Sequence, residues 1–266
     1  MNVLNDTKIL IPPNALKNLI YVDMEMQRSG ETLWAVNQTK NDEQLRQVVE
    51  YYPALLEKLV REATEAKPYI SVVLPIKNPA KVDAYLKNIF KQQNFPDFEL
   101  IFIPLGSQLE LQTLSTNCHV VDYSGDSLED ALKLGLQKST GEYVLFTDEN
   151  STFLARDSFG NAAQLASDSK ADVIHFSRHE KNARFILDDT FKFEGDSPTV
   201  FDSPRQSRAV FWLKNKFSRR LDTKIFKREF LTKYNINFDD GTEEFMFHAL
   251  IQAEKYLIVP QAFCKE

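Results

Sequence analysis

Residues 138–150 read KSTGEYVLFTDEN, and this stretch decides the fold. Its centre, Tyr143–Phe146, is a short apolar run of the residue types that favour strands. The run is entered through Gly141-Glu142 and left through Asp148-Glu149-Asn150, a polar turn carrying two carboxylates. Immediately upstream, Ser127–Lys138 has the spacing of a helix. A helix, a buried strand and then an acidic turn is a sequence expected of an α/β sheet, whose ligands collect at the carboxyl ends of the strands.

The same rhythm extends to both sides. Tyr69–Pro75 (YISVVLP) is a continuous β-branched run, as expected of a strand covered on both faces. Pro79–Gln93 follows as a helix, with Pro79 suited to its first turn and Val82, Leu86, Ile89 and Phe90 inward. Phe98–Ile103, His119–Tyr123 and Ala171–Phe176 read as further strands, and Arg156–Ser169 as a helix. Beyond Ser177 the pattern is less regular, with a helix at Glu243–Glu254 and a last strand at Tyr256–Pro260. Strand–helix alternation with short links predicts an α/β domain with a mostly parallel sheet flanked by helices. Ligand contacts are then expected at Pro75–Asn78, Pro104–Ser107 and Asp148–Asn150. Residues 1–67 read differently. Asn18–Gln27 and Thr32–Thr39 form a hairpin about Arg28–Glu31, and Asp42–Lys67 a helix with one apolar face. The expected division is therefore an N-terminal hairpin-plus-helix attachment, 1–67, and a main domain, 68–266.

Composition removes several classes. A net charge of −6 places nucleic acid last among partners. Two cysteines, Cys118 and Cys264, exclude a disulfide scaffold and a tetrathiolate zinc site, and both read as packing residues. His175 and His179 have the spacing of helical metal ligands but fall at a strand end, which argues against that use. With 8 glycines the chain has no G-x-G-x-x-G after its first strand and no P-loop. No run approaches the ~18 apolar residues of a spanning helix, and Met1–Asp6 leads into no signal-peptide core. A soluble, cytoplasmic protein is expected. Against its acidic background, Arg205–Arg228 holds nine Lys and Arg with Asp222 as its one acid. Such a run reads as a solvated helical face, as a phosphate-binding segment, or as a contact with anionic lipid worth about 1 kcal/mol per charge at the inner face of a membrane. Phe211, Trp212 and Phe217 interleave with the charges and suit an interface or a carbohydrate platform.

In order, YISVVLPIKN, DFELIFIPLGS, ALKLGLQKSTGEYVLFTDEN, TKIFKREFL and EEFMF resemble the family-two glycosyltransferases of the GT-A fold, from Tyr69 to about Pro260. That family shows P-x-Y-N and D-D-G-S strand ends, an A-R-N-x-G helix, G-E-Y-[IV]-x-F-x-D-x-D, and a later acidic pair. The resemblance implies inverting transfer of a sugar from a nucleotide-sugar to a surface-glycan, lipid-linked or protein acceptor, as in polysaccharide biosynthesis. It implies Mn²⁺ or Mg²⁺ at Asp148 and Asn150, and a donor rim of Pro75, Lys77, Asn78 and Ser107. Lys133 would face phosphate, and Glu244 with Glu243 would supply the general base.

The chemical positions depart from the family more than the scaffold positions do. Asn150 replaces the second acid of D-x-D, and Pro104-Leu105-Gly106-Ser107 lacks the acid that reads the base. Lys77 stands for the aromatic of P-x-Y-N, Leu132-Lys133 for Arg-Asn, and Glu243-Glu244 for Glu-Asp. Two readings follow. The first is a divergent transferase with weak metal binding, helped by the Arg205–Arg228 charges. The second is a catalytically inactive GT-A domain, a binding or assembly module that pairs with itself or with a partner transferase domain.

Overall fold

The computed structural model describes residues 68–92, 97–106, 118–154, 158–179, 197–214 and 218–265. The hairpin and helix expected within 1–67, and Ser107, lie outside the described residues. The account below concerns one compact unit, Pro68–Glu110 with His119–Glu266.

Nine strands form one sheet: β1 (Ile70–Ile76), β2 (Phe98–Pro104), β3 (Cys118–Val120), β4 (Tyr143–Phe146), β5 (Thr152–Phe153), β6 (Val173–His179), β7 (Thr199–Val200), β8 (Lys224–Lys227) and β9 (Tyr256–Lys265). Their order is β3-β2-β1-β4-β8-β6-β9-β5, with β7 on β9. β1 pairs in parallel with β2 and β4, as β6 does with β9. β8 runs antiparallel between β4 and β6. The helices are α1 (Val82–Gln92), α2 (Leu128–Lys138), α3 (Ser158–Ser169), α4 (Arg205–Leu213), α5 (Arg228–Lys233) and α6 (Thr242–Gln252). The expected α/β architecture, a mostly parallel central sheet flanked by helices, is the one observed. Every residue of β1, β2 and β4 is buried, which is why these strands read as continuous apolar runs rather than alternating ones.

Local chemistry accounts for the helix positions. Ser127 caps α2, its Oγ accepting from the Asp130 N–H at 3.1 Å, and Glu129 and Asp130 add carboxylates to the first turn. Ala131, Leu132 and Gly135 are the buried face of α2. Pro79 opens not α1 itself but a 3-10 turn, Pro79–Lys81, that leads into it. An aromatic cluster sets α6 beside the sheet: Phe146 of β4 meets Phe226, Phe238 and Phe245 edge-on or tilted at 5.1–6.0 Å, and Phe238 stacks on Phe245 at 4.1 Å.

Arg205–Arg228 is not one solvated helical face. Its described residues fall in α4 with its C-cap, in 218–223 ahead of β8, in β8 and at the first residue of α5. Arg208 is buried and donates to the carbonyls of Phe201, Ser203, Leu250 and Ala253, so it closes the C-terminal end of α6. Burial lowers its pKa from the usual value. Lys224, in β8, is fully buried and donates to the Arg220 carbonyl at 2.6 Å and to Thr223 Oγ1 at 2.9 Å. Arg228 donates to the carbonyls of Gly141 and Thr140. Many of these charges are internal ties, which a count of charges along the chain does not reveal. Among the described residues, no helix is long and apolar enough to cross a membrane.

α2 lies on β1 and β2 through Gly135. A Cβ there would come within 2.2 Å of Val73 Cγ1 and 2.8 Å of Ile103 Cδ1. Gly135→Ala gains ~1 kcal/mol of helix propensity but overpacks a closed contact, at a cost of about 1–3 kcal/mol. Urea denaturation should show net destabilisation. A stabilised variant would mean that the contact relaxes freely.

Candidate active site

The site forms where the turns after β1 and β4 meet. The two strands are in register to the pair Val73↔Phe146, and Thr147 N–H donates to the Val73 carbonyl at 3.0 Å. After β1, Asn78 caps the 3-10 turn, its Oδ1 accepting from Ala80 N–H at 3.2 Å. Its own N–H donates to Glu149 Oε1 at 3.1 Å, and the Lys81 ammonium donates to Asn150 Oδ1. The two turns are thus joined by two bonds between residues about seventy positions apart in sequence.

Asp148 organises its own turn. One oxygen, Oδ1, accepts from Asn150 N–H at 2.9 Å, Ser151 N–H at 3.0 Å and Ser151 Oγ at 3.1 Å. The opposite wall is the loop before β8. There the Arg220 guanidinium forks onto Asp222, Nε to Oδ1 at 3.0 Å and Nη2 to Oδ2 at 3.1 Å. Lys224 holds that loop from below through the Arg220 carbonyl, and Cys264 Sγ donates to the Asp222 carbonyl at 3.4 Å. The cleft between these walls has a volume of about 360 Å³. Its lining includes Pro75, Lys77, Phe146, Asp148, Glu149, Asn150, Arg219, Arg220 and Asp222, with Leu128 and Leu132 of α2 and Thr242 of α6. That size and mixed lining suit a small-molecule ligand.

Of the described residues singled out from sequence, four line this cleft and four do not. Pro75, Lys77, Asp148 and Asn150 line it. Asn78 stands behind the rim as a cap. Glu243, in the first turn of α6, pairs with Arg219 Nη1 at 2.6 Å on the rim. Glu244 pairs with His248 Nε2 at 3.1 Å one helical turn on, both side chains about half exposed (49% and 47%). Lys133 lies off the cleft lining and pairs with Asp239, whose hydrogen bond raises the ammonium pKa. Sequence reasoning missed Asp222. Its signal was present, since it is the one acid in a run of nine bases.

Most of the oxygens that would hold a divalent cation at this turn are already engaged. Asn150 Oδ1 holds an ammonium, both Asp222 oxygens hold a guanidinium, and Asp148 Oδ1 is committed to three local donors. Among the described residues, no three His, Cys, Asp or Glu side chains converge.

No protein family and no curated protein matches the chain by sequence. Solved structures match its coordinates. TarS 1–349 of S. aureus in complex with UDP shares 20% identity over 76% of this chain and 60% of that one, with a TM-score of 0.58. The UDP-GlcNAc complex of the same protein also gives 0.58, at 20% identity over 76% and 58%. The mannosyltransferase PcManGT of Pyrobaculum calidifontis, in complex with GDP-Man and Mn²⁺, gives 0.50 at 16% identity over 83% and 66%. The fold is of the GT-A glycosyltransferase type. The chain spans about 60% of the TarS 1–349 length.

Asp222 carries a test of the electrostatics. Burial raises its carboxyl pKa from 3.8, the Asp148 charge adds to this, and Arg220 offsets part of it. The folded protein therefore keeps this proton to higher pH than the unfolded chain, and stability falls as pH rises above 3.8 through the folded value. Asp222→Asn removes that slope. Across the acid range, the difference in Tm should move in the variant's favour as pH rises. Movement in favour of the wild type would mean that Arg220 outweighs burial.

Proposed function

We propose that this domain is a glycosyltransferase that binds a nucleotide-sugar in the β1/β4 cleft and transfers the sugar to a hydroxyl of a glycan, lipid-linked or protein acceptor. One observation carries the reading: carboxylates, Lys77 and two arginines line a ligand-sized cleft at the carboxyl ends of parallel strands. Solved proteins of like fold hold UDP, UDP-GlcNAc and GDP-Man. Pro75 and Lys77 form the donor rim, and Asp148 fixes the turn beneath it.

The reaction proposed is inverting. The acceptor oxygen bonds to the anomeric carbon while the bond from that carbon to the diphosphate oxygen breaks, and the diphosphate leaves with the electron pair. The acceptor proton goes to Glu244, at the N-terminal turn of α6, with His248 one turn behind it. Glu244 belongs to the first turn of α6, whose first residue, Thr242, lines the cleft, and a carboxylate there is favoured by the helix dipole. A second reading, a GT-A module that binds without turnover, has its own support. Glu243 and Asp222 are both held in ion pairs with cleft arginines.

The two readings separate in a transfer assay of the chain with UDP- and GDP-sugars and glycan, lipid-linked and peptide acceptors. Transfer that falls about a hundredfold or more in Glu244→Gln, with unchanged nucleotide Kd and unchanged Tm, is the expected result. Turnover unaffected by that substitution removes Glu244 from the base role. Nucleotide binding with no transfer to any acceptor supports the binding module.

A further inference from the structure

The engaged oxygens around Asp148 bear on how a diphosphate is neutralised. We infer that the cleft takes a nucleoside diphosphate on side-chain cations and without a divalent metal, an inference that rests on the nucleotide-sugar reading above.

Three observations lead there independently. The first is Lys81. Its ammonium sits on Asn150 Oδ1, the amide oxygen at the place where a second metal-binding carboxylate is expected. A divalent ion entering there would displace an ammonium and remain beside its positive charge, at an oxygen that brings no negative charge in return. The second is Arg220. Its fork occupies both oxygens of Asp222, a buried acid on the same cleft lining as Asp148. Recruiting Asp222 to a metal would strip a guanidinium from a buried carboxylate, which is strongly unfavourable. The third is the supply of cations facing the cleft. Lys77 lies one residue past β1 on the lining, and among the described residues no carboxylate is in ion-pair range of it. Arg219, on the opposite wall, is pre-oriented, its guanidinium 4.8 Å from the centroid of the Trp212 ring. Its exposed pair with Glu243 is of the kind that contributes little and exchanges readily for a phosphate oxygen. Lys77 and Arg219 therefore close on a diphosphate from two sides, and the Asp222–Arg220 and Asn150–Lys81 pairs stay intact beneath it.

The test is calorimetry of the full chain with UDP and with GDP in Mg²⁺, in Mn²⁺ and in EDTA, alongside titration of Mn²⁺ alone followed by electron paramagnetic resonance. One nucleotide should bind with the same Kd in all three buffers. Lys77→Met and Arg219→Met should each weaken it about tenfold, as loss of one charge-assisted contact does, with Tm retained. Wild-type chain should leave the free Mn²⁺ signal unchanged, whereas the double substitution Lys81→Gln with Asn150→Asp should reduce it. Nucleotide binding that appears only with metal overturns the inference. So does capture of Mn²⁺ alone by the wild-type chain, whatever the nucleotide result. Failure to bind either nucleotide in every buffer, with the Mn²⁺ signal unchanged, overturns instead the nucleotide-sugar reading.

Discussion

A single carboxylate at the far end of the sheet sets the geometry of the cleft. Glu99, in β2, is buried, and its Oε1 accepts from Ser71 Oγ at 2.6 Å, Thr140 N–H at 2.8 Å and Thr140 Oγ1 at 2.9 Å. Ser71 Oγ in turn accepts from Gly141 N–H at 2.8 Å. A carboxyl is costly to bury without partners, and three donors on one oxygen, with His119 Nε2 3.6 Å from the other, offset that cost. These bonds tie β2, β1 and the entry to β4 at their amino ends. Parallel strands locked at one end stay in step, so two residues beyond the pair Val73↔Phe146 stand Pro75 and Asp148. The cleft is the other end of that lock.

This explains what the stretch 138–150 disclosed. Gly141 is required because a Cβ there would lie 2.7 Å from both Ser71 N and Ser71 Oγ. Its carbonyl takes the Arg228 Nε–H at 2.7 Å, and Tyr143 donates through its hydroxyl to the Ala171 carbonyl at 2.9 Å. The residues that made the sequence legible as a fold are therefore scaffold, and they specify packing rather than chemistry. What stayed illegible has a different physical origin. β8 is four residues long, KIFK, and its basic ends made it part of a charge run, although its first lysine is fully buried. β9 runs five residues past the expected end at Pro260, where register shifts in its pairing with β6 interrupt the regular pattern. The bonds Asn78–Glu149 and Lys81–Asn150 join partners whose nearness exists only after β1 and β4 pair. Short polar contacts of this kind leave no periodicity to read.

The basic run connects these halves. Arg208 satisfies carbonyls at the C-terminal end of α6, the Phe146, Phe226, Phe238 and Phe245 cluster packs against its N-terminal half, and Arg219 pairs with Glu243 in its first turn. Lys224 and Arg220 hold the loop before β8, from which Arg219 reaches Glu243. Charges that would look interchangeable on a surface have distinct acceptors here: Arg208, Arg219, Arg220, Lys224 and Arg228 each hold different groups. The ties on α6 come from residues 24 to 45 positions upstream, which spacing along the chain does not reveal.

The pattern of partnering also bears on what the cleft can hold. Charges without partners in a partly buried cleft are costly. The charges of this cleft are instead largely partnered. The Lys81 ammonium sits on the Asn150 amide oxygen, and a guanidinium covers both oxygens of the buried Asp222. Lys77 adds a further cation on the lining. The lining carries three acids, Asp148, Glu149 and Asp222, and three bases, Lys77, Arg219 and Arg220, so what distinguishes the cleft is not its net charge but that its acids and its amide oxygen already hold partners.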